Sequence, residues 1–124
     1  MLDRFKVPEE DKVYVPVEKI TKVTENILKS SGVSEDGAKN STSVLIGNDL
    51  RGVETHGVSN GLRLYVEKYA SGQYNSSPDI KIIRESATTA TIDGDNGLGA
   101  EIGPLAELAG WAGLRLLGWA RPAG

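Results

Sequence analysis

Cysteine is absent from this 124-residue chain, and histidine occurs once, at His56. The first absence excludes a disulfide scaffold, thiolate catalysis and a cysteine-ligated zinc site. Aromatic residues are sparse as well, at 6%. No run of about 20 apolar residues exists to span a bilayer, since the most apolar stretch, residues 105–119, is interrupted by Glu107 and Arg115. The first ten residues carry Asp3, Arg4, Lys6, Glu9 and Glu10, so they contain no signal-peptide core. An excess of positive charge is also missing. Fourteen Lys and Arg stand against seventeen Asp and Glu, for a net charge of −3, which disfavours a phosphate-neutralising role on nucleic acid. A cytoplasmic location follows as the expectation, with neither a membrane nor a nucleic acid as partner.

What is present is the composition of one small globular domain, with 39% apolar and 25% charged residues. Val17, Ile20, Val23, Ile27 and Leu28 recur at near-helical spacing, which predicts a helix over 17–30 between Pro16 and a stop at Gly32. Ser34 is a suitable N-cap for a second helix, with Glu35 and Asp36 near its positive end. Its buried stripe is expected to use Ala38, Val44, Leu45 and Leu50. Leu62, Tyr65, Val66 and Tyr69 fall at i, i+3, i+4 and i+7 and mark a third helix ending near Gly72. Beyond the turn-rich residues 71–78 the pattern becomes β. Ile80, Ile82 and Ile83 suggest one strand and residues 87–92 another, followed by a tight turn over Asp93-Gly94-Asp95-Asn96-Gly97.

Residues 101–124 differ in kind. They use eight residue types, hold both tryptophans and five of the fifteen glycines, and resemble a GC-rich message read in another frame. Gly110, Gly113 and Gly118 would each cost a helix interior about 1 kcal/mol. The chain from Glu101 onward is therefore expected to pack loosely. A one-base shift near Ala100 that restored a long continuation would identify the segment as a frameshift.

Two nucleotide and metal patterns fail on inspection. Gly97-Leu98-Gly99-Ala100-Glu101-Ile102-Gly103 departs from the dinucleotide fingerprint, because Ile102 stands at its last glycine. A calcium loop starting at Asp93 would have Leu98 at its turn glycine and Pro104 at its bidentate glutamate.

The run Asp49-Leu50-Arg51-Gly52-Val53-Glu54-Thr55-His56-Gly57-Val58 is followed by Leu62-Arg63-Leu64-Tyr65-Val66. Together with residues 92–99, Ile-Asp-Gly-Asp-Asn-Gly-Leu-Gly, this chain resembles the malate/L-lactate dehydrogenase family over roughly residues 10–100. The resemblance implies an α+β fold. A helical region at 1–78 is followed by a β-hairpin at 79–100 that begins the mixed β-sheet of the cofactor-binding domain. The atypical tail at 101–124 then leaves the fold truncated. It further implies an oxidoreductase that passes a hydride between NAD or NADP and a small 2-hydroxy or 2-oxo acid such as malate or lactate, as a homodimer when full length.

His56 is then the candidate catalytic group, as proton donor or as a donor that steadies oxyanion charge. Arg63 is a candidate for the substrate carboxylate, which a guanidinium grips bidentately. Many family members place an arginine four residues after the motif histidine, where this chain has Asn60. Tyr65 and Thr55 are candidate substrate hydrogen-bonders, although Tyr65 also lies on an apolar stripe and Thr55 is equally suited to capping. Asp49 and Arg51 are expected to organise the helix end. The family's further active-site histidine has no counterpart here, and no residue is assigned to the cofactor. Two other readings stand beside this one: a non-catalytic helical interaction or dimerisation module, and an inactive truncated gene product.

Overall fold

The computed structural model describes residues 8–86 and 89–106. Three helices come first: α1 is Val17–Ser30, α2 is Glu35–Leu50 and α3 is Val58–Ala70. A single tight helical turn, Glu54–His56, joins α2 to α3. Strands β1, Lys81–Glu85, and β2, Ala90–Asp93, then form an antiparallel hairpin. Residues 99–106 are helical again.

Local sequence explains where the helices stop. Gly32, Gly52 and Gly72 have φ of +91°, +74° and +73°, the left-handed region that a side chain disfavours. Each sits just past a helix end, and the following amide reaches back to the last turn. Val33 N donates to Leu28 O at 3.2 Å, Val53 N to Asn48 O at 2.8 Å, and Gln73 N to Lys68 O at 2.9 Å. These closures satisfy carbonyls that would otherwise lack partners. At the start of α2, Ser34 Oγ accepts from Gly37 N at 3.0 Å, as its cap position predicts.

The core gathers where the helices meet the hairpin's far end. Leu28, Val33, Ala38, Tyr69 and Leu98 form one buried cluster, with Leu62, Tyr65, Tyr74 and Ala100 packed against it. On α2 the buried residues are Gly37, Ala38, Ser41, Thr42, Leu45 and Ile46. Leu50, expected on that stripe, is 68% exposed. Small hydroxyl residues occupy the inward positions instead, and α2 packs chiefly on α1. Close approach of α3 to α2 also relies on a small residue, since a Cβ on Gly61 would stand 2.9 Å from Leu45 Cδ2. On α1, Thr24 and Leu28 are buried while Val17, Val23 and Ile27 are exposed. The apolar stripe of α1 is thus wider than the surface that covers it.

In the hairpin, Ile82 pairs with Ile92 and Arg84 with Thr91, leaving Ile83 as the extra residue of a bulge. Every residue of β1 is exposed, Ile82 and Ile83 included. The second strand begins later than expected, at Ala90, and residues 87–88 lie outside the described residues. The following turn holds Asp95 and Asn96 at φ of 47° and 56°, as its composition predicts. It is tied to the segment after α3: Asp95 Oδ2 accepts from Asn75 Nδ2 at 2.8 Å and from Asp79 N at 3.0 Å. Leu98 then enters the core.

The compositional break at residue 101 falls inside the helical segment 99–106, and Glu101 is buried. Loose packing from Glu101 onward is therefore corrected at its first residue. Glu101 lies on the first turn of α2, where a Cβ on Gly37 would collide with its carboxylate. The rest of the tail, residues 107–124, lies outside the described residues. Among the described residues, no helix is long and apolar enough to cross a membrane.

Candidate functional site

The turn Glu54–His56 is exposed, and none of its side chains is buried. Hydrogen bonds from its neighbours hold it in place. Asn48 Nδ2 donates to His56 O at 3.0 Å, and Asn60 Nδ2 donates to Glu54 O at 2.9 Å. Asp49 Oδ2 accepts from Val58 N at 2.9 Å, which caps α3 from the end of α2 and sets a carboxylate at its positive terminus. Gly57, with φ −92°, needs no special dihedral. Its requirement is space, because a Cβ there would collide with the Asp49 carboxylate.

Within this frame Thr55 Oγ1 lies 2.9 Å from His56 Nδ1. A hydrogen bond there selects the imidazole's orientation and leaves Nε2 for another partner. Thr55 makes no helix cap.

The other candidates are distributed differently. Arg63 is on the exposed face of α3, where its Nε pairs with Glu67 Oε1 at 2.8 Å. Asn60 is one turn earlier on that face and touches the His56-bearing turn. Asn60 thus braces the turn's backbone. Tyr65 lies on the inward side, its ring centroid 6.3 Å from that of Tyr74. Tyr74 in turn meets Tyr69 edge-on at 5.7 Å. The structure brings Thr55 and His56 together, leaves Arg63 on the adjoining exposed stripe, and assigns the Tyr65 ring to an aromatic cluster.

Two features were not visible in the sequence. Asn48 belongs to no motif that singles it out, since its bond to His56 O depends on how α2 returns into α3. Glu101 carries no sequence signal for burial either. Burial raises the Glu101 carboxyl above the usual carboxylate range. The Tyr69 hydroxyl is pushed up to about 12, first by burial and then by the negative charge of Glu101. Glu101 Oε2 and the Tyr69 hydroxyl are both buried without a hydrogen-bond partner. An open groove lies elsewhere, between Thr21 and Glu25 of α1 and Lys39, Ile46 and Leu50 of α2.

The sequence pattern of the malate/L-lactate dehydrogenases matches residues 15–112, and the chain belongs to that family. It is 41% identical over 95 residues to a malate dehydrogenase of Pyrococcus horikoshii, covering 77% of this chain and 26% of that protein. To an L-sulfolactate dehydrogenase of Methanocaldococcus jannaschii it is 44% identical over 85 residues, covering 68% of this chain and 24% of that one. The fold agrees. The solved structure of Pyrococcus horikoshii malate dehydrogenase superposes with a TM-score of 0.82 at 35% identity, over 89% of this chain and 31% of that one. The chain therefore spans about a quarter of the length of the curated relatives it matches.

A nicotinamide dinucleotide does not fit the described residues by themselves. The segment leading into helix 99–106 is the nearest thing to a glycine-rich loop. There a Cβ on Gly97 would stand 2.8 Å from Pro78 Cγ, and Leu98 is buried in the core. The Gly97 amide is already bonded to Gly94 O and Leu98 faces the core, while Gly99 is open, so no continuous run of free amides forms a phosphate cradle.

Proposed function

We propose that this chain supplies the histidine-bearing part of an NAD(P)-dependent oxidoreductase acting on small 2-hydroxy and 2-oxo acids, of which malate, lactate and sulfolactate are representative. The observation that carries the reading is the Thr55–His56 pair, with its backbone clamped and its side chains exposed. Reduction of a 2-oxo acid by hydride, which NAD or NADP supplies when bound, builds negative charge on the C2 oxygen. His56 donates a proton or hydrogen bond to that oxygen, and Thr55 orients the ring through Nδ1.

Arg63 takes the substrate carboxylate in this reading. Its pairing with Glu67 is no obstacle, because both side chains are mostly exposed and such pairs contribute only a few tenths of a kcal/mol. Tyr65 contributes through its hydroxyl while its ring stays packed. The cofactor is held by sequence beyond this quarter of the relatives' length. A homodimer and a cytoplasmic location accompany the reading, and light scattering on the assembled enzyme tests the first.

The test is a chimera in which residues 15–106 replace the matching segment of Pyrococcus horikoshii malate dehydrogenase. Oxidation of NADH or NADPH is followed with a panel of 2-oxo acids. Turnover is expected, and His56→Gln should lower kcat by about 10²–10⁴-fold. A folded chimera that turns over none of the panel, or is indifferent to His56→Gln, overturns the proposal.

A further inference from the structure

We propose that Asn48 is a positioning residue for His56, acting by closing both ends of the turn that carries it. The inference rests on the reading of His56 as the group at the substrate oxygen. The backbone carbonyl of Asn48 accepts from Val53 N at 2.8 Å, where the turn begins. Its side-chain Nδ2 donates to His56 O at 3.0 Å, where the turn ends. One residue thus spans the whole excursion from α2 toward α3.

Position matters because, among the described residues, no side chain of this turn is buried to anchor it by packing. Glu54, Thr55 and His56 are all exposed, so no buried side chain holds them. Internal hydrogen bonds, His56 N to Val53 O at 2.9 Å and Gly57 N to Glu54 O at 3.1 Å, fix the turn's shape but not its placement on the helices. Placement comes from side chains. Asn60 holds Glu54 O, Asp49 holds the amide of Val58, and Asn48 alone among the described residues donates to the carbonyl of His56 itself. A short polar side chain at the end of a helix, one turn from its glycine stop, reaches His56 O while the same residue's backbone carbonyl holds Val53 N.

The chain offers a clean probe, because His56 is its only histidine and its ring signals need no separation from others. Amide exchange, backbone order parameters and imidazole shifts are measured by NMR on the 124-residue chain, unaltered and as Asn48→Ala. The substitution removes the Nδ2 bond and keeps the backbone carbonyl. Val53 should therefore retain its protection as an internal control. Exchange at His56 and Gly57 should quicken roughly fivefold, the equivalent of one ordinary hydrogen bond. The His56 order parameter should fall from the rigid range near ~0.85 toward ~0.6, with ring shifts moving to those of an unstructured histidine. Asn48→Asp keeps the side chain's length but cannot donate, and should behave alike.

In the chimera, Asn48→Ala should lower kcat about tenfold with KM within about twofold. Unchanged His56 signals in either variant overturn the proposal. So does global unfolding of both, which would make Asn48 a residue of the fold and not of the turn. If the NMR result holds while His56→Gln leaves the chimera active, the positioning stands and the functional reading fails. If His56→Gln abolishes activity while the NMR signals stay fixed, the reverse is true.

Discussion

The two ends of α3 are held by opposite means. At its start, the Glu54–His56 turn has no buried side chain and is fastened by Asn48, Asp49 and Asn60 through hydrogen bonds to its backbone. At its end, Tyr69 is buried against Leu28, Val33, Ala38 and Leu98, with Tyr65 and Tyr74 around it. Packing immobilises a side chain by consuming its surface. Hydrogen bonding to the main chain fixes a residue's position and leaves its side chain free to meet a ligand. The same helix therefore presents exposed side chains at one end and a packed core at the other.

That contrast is tested most severely in the core. Leu28→Ala removes a fully buried side chain and should lower stability by about 2–5 kcal/mol in urea unfolding. In the folded fraction the protection of Val53 and His56 should persist. Loss of that protection would show that the turn also depends on packing. Gly57→Ala attacks the other end, forcing the Asp49 carboxylate off Val58 N. A loss of about 1–3 kcal/mol is expected, concentrated in the exchange rate of Val58. A change within ~0.5 kcal/mol would mean that Asp49 swings aside freely and that the clamp is loose.

Glu101 sharpens the packed end through pH. Its folded carboxyl titrates above the ordinary range, so the folded state binds its proton more tightly than the unfolded chain does. The cost is fully present above the folded value and disappears as pH falls through it toward the ordinary carboxylate range. Glu101→Gln should raise stability at pH 7 and flatten this part of the pH profile, both read from urea unfolding against pH. A variant with the unaltered slope would exclude Glu101 as its source. Tyr69 adds a separate loss at the alkaline end, where the unfolded phenol ionises near 10 and the folded one near 12. The smallest effect belongs to the exposed stripe. Arg63→Ala should change the melting free energy by no more than a few tenths of a kcal/mol, and a larger loss would mean that Arg63 is structural.

Much of the fold was legible along the chain because it is written in local signals. Gly32 and Gly72 announce helix ends, Ser34 announces a start, and Asp95 and Asn96 take the left-handed turn their side chains tolerate. The expectation that Asp49 organises a helix end agrees with its bond to Val58 N. Less legible was the inward face of α2, where Ser41 and Thr42 are buried and Leu50 is exposed. Hydrophobicity ranks those residues the other way. Size decides the outcome, since helices in close contact accept small side chains whatever their polarity. The candidate site was legible only in part. Thr55 and His56 are neighbours in sequence and therefore in space, whereas nothing in the spacing of Tyr65 says that its ring turns toward Tyr74.

By itself, the sequence determined the helix limits, the tight turns, the family and the place of the one histidine. Each depends on the conformational preferences of a few adjacent residues or on a contiguous motif. Tertiary structure alone decided that Asn48 and Asp49 clasp the turn, that Gly57 is needed for space and not for its dihedral, and that Glu101 is shut away beside Tyr69. Those facts are contacts between residues on different elements. They exist only once the helices have crossed at their particular distances.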